Sequence, residues 1–180
     1  MRPIDIHKTF ELSIDAITCL WGGLTIPRML PNEVELVLKP HNLLITLTSN
    51  VGEDAHISKS NYLSICKSEE RTQDVGNLSL KMLAVFAFES LKTEPAYEII
   101  KNNETINFLR HLRNAGAHGG NFNFYIGTKF IEPGEVKWRN KKITKQMQGK
   151  VAFPDFITHG DLPHLLEDIS KILSNVANAQ

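Results

Sequence analysis

Arg110, His111, Arg113, Asn114 and His118 place two guanidiniums, an amide and two imidazoles within one short stretch that ends on Gly119-Gly120. A guanidinium grips a phosphate through two parallel hydrogen bonds, and an imidazole, with an unperturbed pKa of about 6.5, exchanges a proton near neutral pH. Together they suit RNA cleavage. A 2′-hydroxyl attacks its neighbouring phosphate when one group takes its proton, a second protonates the departing 5′-oxygen, and a cation stabilises the pentavalent phosphorus. The product is a 2′,3′-cyclic phosphate, and the step calls for no metal and no cofactor.

On an ideal helix, with 100° per residue, His111, Asn114 and His118 fall within about 60° of one another, whereas Arg113 sits roughly 140° from His118. Arg113 must therefore reach around the helix or act across a subunit boundary. One His118 per chain leaves the reaction short of one acid–base group; a symmetric dimer supplies it, or His111 substitutes within the chain. The same residues also have an ordinary reading, in which Arg113 pairs with a carboxylate at the core edge, Asn114 caps backbone and His118 simply ends a helix.

The elements that must position these groups read as mainly α. Phe10, Ile14, Ile17 and Trp21 recur at helical spacing and Gly22-Gly23 stops the pattern, so a helix is expected over roughly residues 4 to 21. Asn32 caps a second helix over 33–39, which Pro40 breaks; residues 43–48 either continue as a kinked helix, the favoured reading, or pass for a strand. Residues 50–74 are polar and aperiodic and read as a loop with a turn around Tyr62 to Cys66. Leu78 to Leu91 is an apolar central helix, Glu94-Pro95 opens a segment through Ile100, and Thr105 caps the motif helix, whose Ile106, Leu109 and Leu112 face the core. After Gly120 the period turns to alternation, with a small β-hairpin insertion at about residues 121–145, and Asp161 caps a last helix striped by Leu162, Leu165, Ile169, Ile172 and Val176.

Within this frame Arg113-Asn114-Ala-Gly-Ala-His118, and the wider Leu-Arg-His-Leu-Arg-Asn-x-x-x-His-Gly stretch around it, resembles the signature of the HEPN superfamily. The resemblance implies a single HEPN-like domain over residues 1–180, a four- to five-helix bundle that works as a homodimer with its two motif copies facing each other. Many members similar to this are metal-independent endoribonucleases of toxin–antitoxin or phage-defence systems; others bind nucleotides or are inactive. Carried over, Arg113 and His118 form the catalytic pair and Asn114 orients them, while a cognate antitoxin protein joins RNA as an expected partner. The alternative is a non-catalytic module that binds a nucleotide, RNA or a protein.

Composition bounds these readings. The chain of 180 residues has ordinary apolar and charged fractions and zero formal net charge, but residues 1–100 carry 9 basic and 13 acidic side chains and residues 101–180 carry 11 and 7. Six cations and no acid fall between Lys137 and Lys150 around Trp138, so Lys137, Arg139, Lys141 and Lys142 join Arg110 and His111 as candidate RNA contacts, a solvated hairpin face being the plainer account. Trp138 reads as hairpin packing before a stacking platform. His159 and His164 flank Asp161, but a helix cap explains that segment without a metal. The longest apolar run, Met82 to Phe88, is too short to span a bilayer, and two cysteines, Cys19 and Cys66, make no disulfide framework, so a cytoplasmic protein without membrane partners is expected.

Overall fold

The computed structural model describes residues 5–39, 43–48, 50–53 and 55–179. It is mainly helical, with seven α-helices and three two-stranded antiparallel sheets among those residues. No described helix is long and apolar enough to cross a membrane. The chain divides into two compact units, one of residues 1–17 with 77–180 and the other of residues 18–76. Helices α1 (Lys8–Met29) and α4 (Glu69–Lys92) each contribute to both.

The smaller unit holds the differences from the sequence reading. Helix α1 does not stop at Gly22-Gly23 but runs to Met29 with Pro27 inside it. Two glycines cost a helix only about 1 kcal/mol each. Pro27 has no N–H, so the Gly23 carbonyl loses its helical donor; the Tyr62 hydroxyl donates to that carbonyl instead. Tyr62→Phe removes the substitute donor and is expected to cost about 1 kcal/mol. A urea midpoint equal to the parent's would show that water serves the carbonyl equally well.

Helix α2 (Pro31–Leu38) starts at a proline in the first turn, with Leu30 at the N-cap, two residues earlier than a cap at Asn32 requires. Pro40 lies outside the described residues. Leu43–Leu47 is strand β1, not kinked helix, and it pairs antiparallel with β2 (Ala55–Ser58), matching Thr46 to His56 and Leu47 to Ala55. An unalternating apolar run carries no period by which to choose, and here the distant partner strand decides. Nor is 50–74 a loop. Ser58 caps α3 (Lys59–Lys67) by accepting from the Asn61 N–H, and Ser68 accepts from the Arg71 N–H at the start of α4, whose first turn holds Glu69 and Glu70. Helix α3 buries only Leu63 and Cys66, too few apolar positions to register as a stripe.

In the larger unit Phe10 from α1 joins Leu80, Leu83, Ala84, Ala87 and Leu91 from α4 in one core. A four-residue helix α5 (Tyr97–Ile100) leads to α6 (Glu104–Ala117), and α7 (Asp161–Ala177) closes the unit with Leu162, Leu165, Leu166 and Ile169 fully buried. The N-cap of α6 is Asn103, two residues before Thr105: its side chain accepts from the Thr105 N–H at 2.9 Å. Asp161 lies inside the first turn of α7 and accepts from both the N–H and the hydroxyl of Thr158 at 2.9 Å. The single expected hairpin is two. β3 (Tyr125–Ile126) pairs with β4 (Lys129–Phe130), and β5 (Val136–Trp138) with β6 (Lys141–Ile143), because Pro133-Gly134 interrupts the run and restarts the register.

An aromatic chain ties these hairpins to α6. Trp138 and Phe156 meet Phe108 at 5.7 and 5.9 Å, Phe156 meets Phe122 at 5.2 Å, and Phe122 meets Phe124 at 6.0 Å. Trp138 is buried and its indole N–H donates to Asp168 at 3.0 Å, so the ring packs and offers no face to a base.

Candidate functional site

Helix α6 presents the motif because its opposite face is committed to the core. Ile106, Phe108, Leu109, Leu112 and Ala115 are all buried, which fixes the rotation of the helix and leaves Arg110, Asn114 and His118 toward water. At its end the Gly120 N–H returns to the Ala115 carbonyl at 2.8 Å, with Gly119 at φ +79°, a left-handed turn that glycine adopts freely. His118 is the C-cap, its own N–H reaching the Asn114 and Ala115 carbonyls at 3.1 and 3.2 Å. The Lys81 ammonium donates to the Gly119 carbonyl at 3.1 Å, placing positive charge at the negative helix end. Gly116 is a close-approach position: a Cβ there would lie 2.7 Å from the Lys81 carbonyl of α4.

The helical arithmetic is realised in space. Arg110, His111, Asn114 and His118 line one cleft of about 410 Å³, and Arg113 is absent from it. Arg113 instead meets Glu89 of α4, with Nε at 2.8 Å and Nη2 at 2.6 Å from the same carboxylate oxygen. Lys92 and then Arg113 hold the Glu89 carboxyl below its ordinary range. The contact from Arg113 to Asn114 Oδ1, 3.4 Å, is long. The pairing is the ordinary role that the sequence also allowed for Arg113, whose side chain is 34% exposed.

His111 differs from the other motif groups. It is 9% exposed, its ring stands edge-on to Phe124 at 5.6 Å, and burial, with the nearby Arg110 charge, pushes its pKa down to about 4, against the opposing pull of the Pro133 backbone. It is therefore neutral at pH 7, and the one N–H it keeps is far too weak an acid to protonate a leaving group. Its Nε2 is closed off from solvent and has no hydrogen-bonding partner among the described residues.

The basic stretch is largely spent within the chain. Arg139 pairs with Asp168 at 3.0 Å and lies over the Trp138 ring; Lys141 pairs with Asp161 at 3.3 Å and donates to the Phe156 carbonyl at 2.8 Å. Lys142 pairs with Glu135 at 2.7 Å and Lys145 with Glu132 at 3.3 Å, whereas Lys137, exposed on β5, engages Glu104 only through its backbone N–H. None of the four candidate RNA contacts between 137 and 142 lines the motif cleft. Among the described residues no three His, Cys, Asp or Glu side chains converge as a metal site would require.

The far wall of the cleft comes from residues that motif reasoning passed over: Asn123, Tyr125, Ile126, Ile131 and Glu132 around the β3–β4 hairpin. A signal was present. Phe122 and Phe124 alternate with Asn123 and Tyr125, so burial of the first pair turns the second outward. Searches against protein-family models, curated proteins and solved structures find no match to this chain.

Proposed function

We propose that this protein is a metal-independent endoribonuclease of HEPN type, cleaving RNA to 2′,3′-cyclic phosphate ends at a homodimer interface. The observation that carries the reading is the motif placed at the exposed C-terminal end of α6, with His118 and Asn114 opening onto a cleft that also holds the Arg110 guanidinium. His118 removes the 2′-hydroxyl proton, the 2′-oxygen bonds to phosphorus as the 5′-oxygen leaves, and a second acid protonates that oxygen. His111 is neutral and closed off, so the acid comes from the second copy's His118. Arg113, half-open beside Glu89, exchanges that carboxylate for the phosphate as the copies meet. A toxin or phage-defence setting, with an antitoxin protein as partner, fits this activity in the cytoplasm.

The Arg113–Glu89 pair favours one other reading, a non-catalytic module that binds RNA or a nucleotide while Arg113 serves architecture. Incubating the purified protein with structured cellular RNAs in excess chelator separates them. New 2′,3′-cyclic phosphate ends are expected; intact RNA across the pool, despite salt-sensitive binding, would overturn catalysis and leave the binding module.

A further inference from the structure

The hairpin wall of the cleft bears features that cleavage alone does not use. Tyr125 is 47% exposed, and Ile126 and Ile131 share the same rim, a cluster of apolar surface facing water rather than the core. Tyr125 is held in place: Phe130 meets it edge-on at 5.3 Å, Phe124 backs Phe130 at 6.4 Å, and the Asn123 side chain accepts from the Tyr125 N–H at 3.1 Å. From α6, Arg110 lines the same cleft, and the His111 Nε2 is closed off and without a partner among the described residues. Glu132 lies on the hairpin side, paired with Lys145.

We infer that this cleft is a nucleotide subsite, in which an unpaired base of single-stranded RNA stacks on Tyr125 while Arg110 holds its phosphate; the choice of RNA rests on the ribonuclease reading. The polarity of the two walls sets the orientation. A phosphate is drawn to the Arg110 charge, while the hairpin side carries Tyr125 and a Glu132 carboxylate already paired with Lys145, so the anionic end lies against α6 and the base against the hairpin. There Glu132 and Asn123 offer oxygens to the N–H groups of a base edge. A ring–ring contact tolerates any base sequence but needs the base free of its complementary strand. The volume, about 410 Å³, lies within the range of small-ligand sites and is far below what a helix or duplex occupies.

The test uses a short, labelled, fully 2′-O-methylated oligonucleotide, which has no 2′-hydroxyl to attack and is bound without being cut. Fluorescence anisotropy compares it single-stranded and annealed to its complement. The single strand is expected to bind more tightly; Tyr125→Ala weakens it by about 5- to 100-fold, the span of one lost base–aromatic stack, while Tyr125→Phe stays near the parent. Tyr125 lies on the surface, so circular dichroism of the alanine variant should match the parent's. Equal binding of single strand and duplex, no binding of either, or a Tyr125→Ala variant as tight as the parent would overturn the subsite, and capture of an apolar peptide by the same rim would reassign it to a protein partner. Tyr125-dependent binding by a protein that cuts no natural RNA would leave the subsite standing and remove only the ribonuclease reading.

Discussion

Replacing His118 by alanine is expected to slow RNA cleavage in chelator by about 10²- to 10⁴-fold, the usual contribution of one positioned acid–base group, and to leave the fold intact. Stability should hold because the His118 side chain is exposed at a C-cap whose backbone bonds, to Asn114 and Ala115, do not depend on the ring. In a dimer each site loses both its base and the acid lent by the other copy, so that range is a lower bound, and a mixed dimer with an Arg113→Ala variant, which keeps one His118 and one Arg113, should recover the contribution of only one of the two groups. Arg113→Lys is the sharper companion. Lysine keeps the charge and can still answer Glu89, but it loses the planar fork that grips a pentavalent phosphorus. Cleavage should fall while the urea midpoint stays near the parent's. If Arg113→Lys and His118→Ala both cut RNA as the parent does, the motif serves architecture, and the Glu89 pair is the whole of Arg113's role.

Much of the motif helix was legible because its signals are local. Ile106, Leu109 and Leu112 mark the buried stripe, and 100° per residue places His111, Asn114 and His118 on one side and Arg113 on the other, as the cleft and the Glu89 pair bear out. Helix α7 was equally plain, since five apolar residues keep its period over four turns. What failed depended on partners distant in sequence. β1 reads as helix until β2 supplies its hydrogen bonds, and Gly22-Gly23 reads as a stop until Tyr62 takes over the carbonyl that Pro27 abandons. The charge pattern has the same dependence on distant partners. Between Lys137 and Lys150 the sequence holds cations and no acid, yet Glu132, Glu135, Asp161 and Asp168 reach in from outside that window. The β3–β4 wall was half-legible: alternation marks Tyr125 as outward, but only folding brings it to the cleft that Arg110 also lines.

His111 gives the protein an acid-sensitive stability with a defined window. Its folded pKa, about 4, lies below the ordinary 6.5, so the unfolded chain binds the proton first as pH falls. The sign follows: the contribution is complete above pH 6.5, shrinks by about 1.4 kcal/mol per pH unit between 6.5 and 4, and is gone below, a total of about 3.5 kcal/mol. Urea unfolding of the parent should therefore lose about 2 kcal/mol between pH 7 and pH 5 from this ring alone. Glu89, Glu135, Asp161 and Asp168 also lose stability in acid, since their folded pKa values are lowered, but their windows open only below ordinary values of 4.5 and 3.8. At pH 5 the imidazole therefore supplies most of the change. His111→Phe keeps a ring against Phe124, removes the titration, and should flatten the profile between pH 7 and 5. A parent equally stable at both would mean that the ring accepts a proton in place, which would return His111 to the reaction as a second acid within the same chain and remove the chemical need for a second copy.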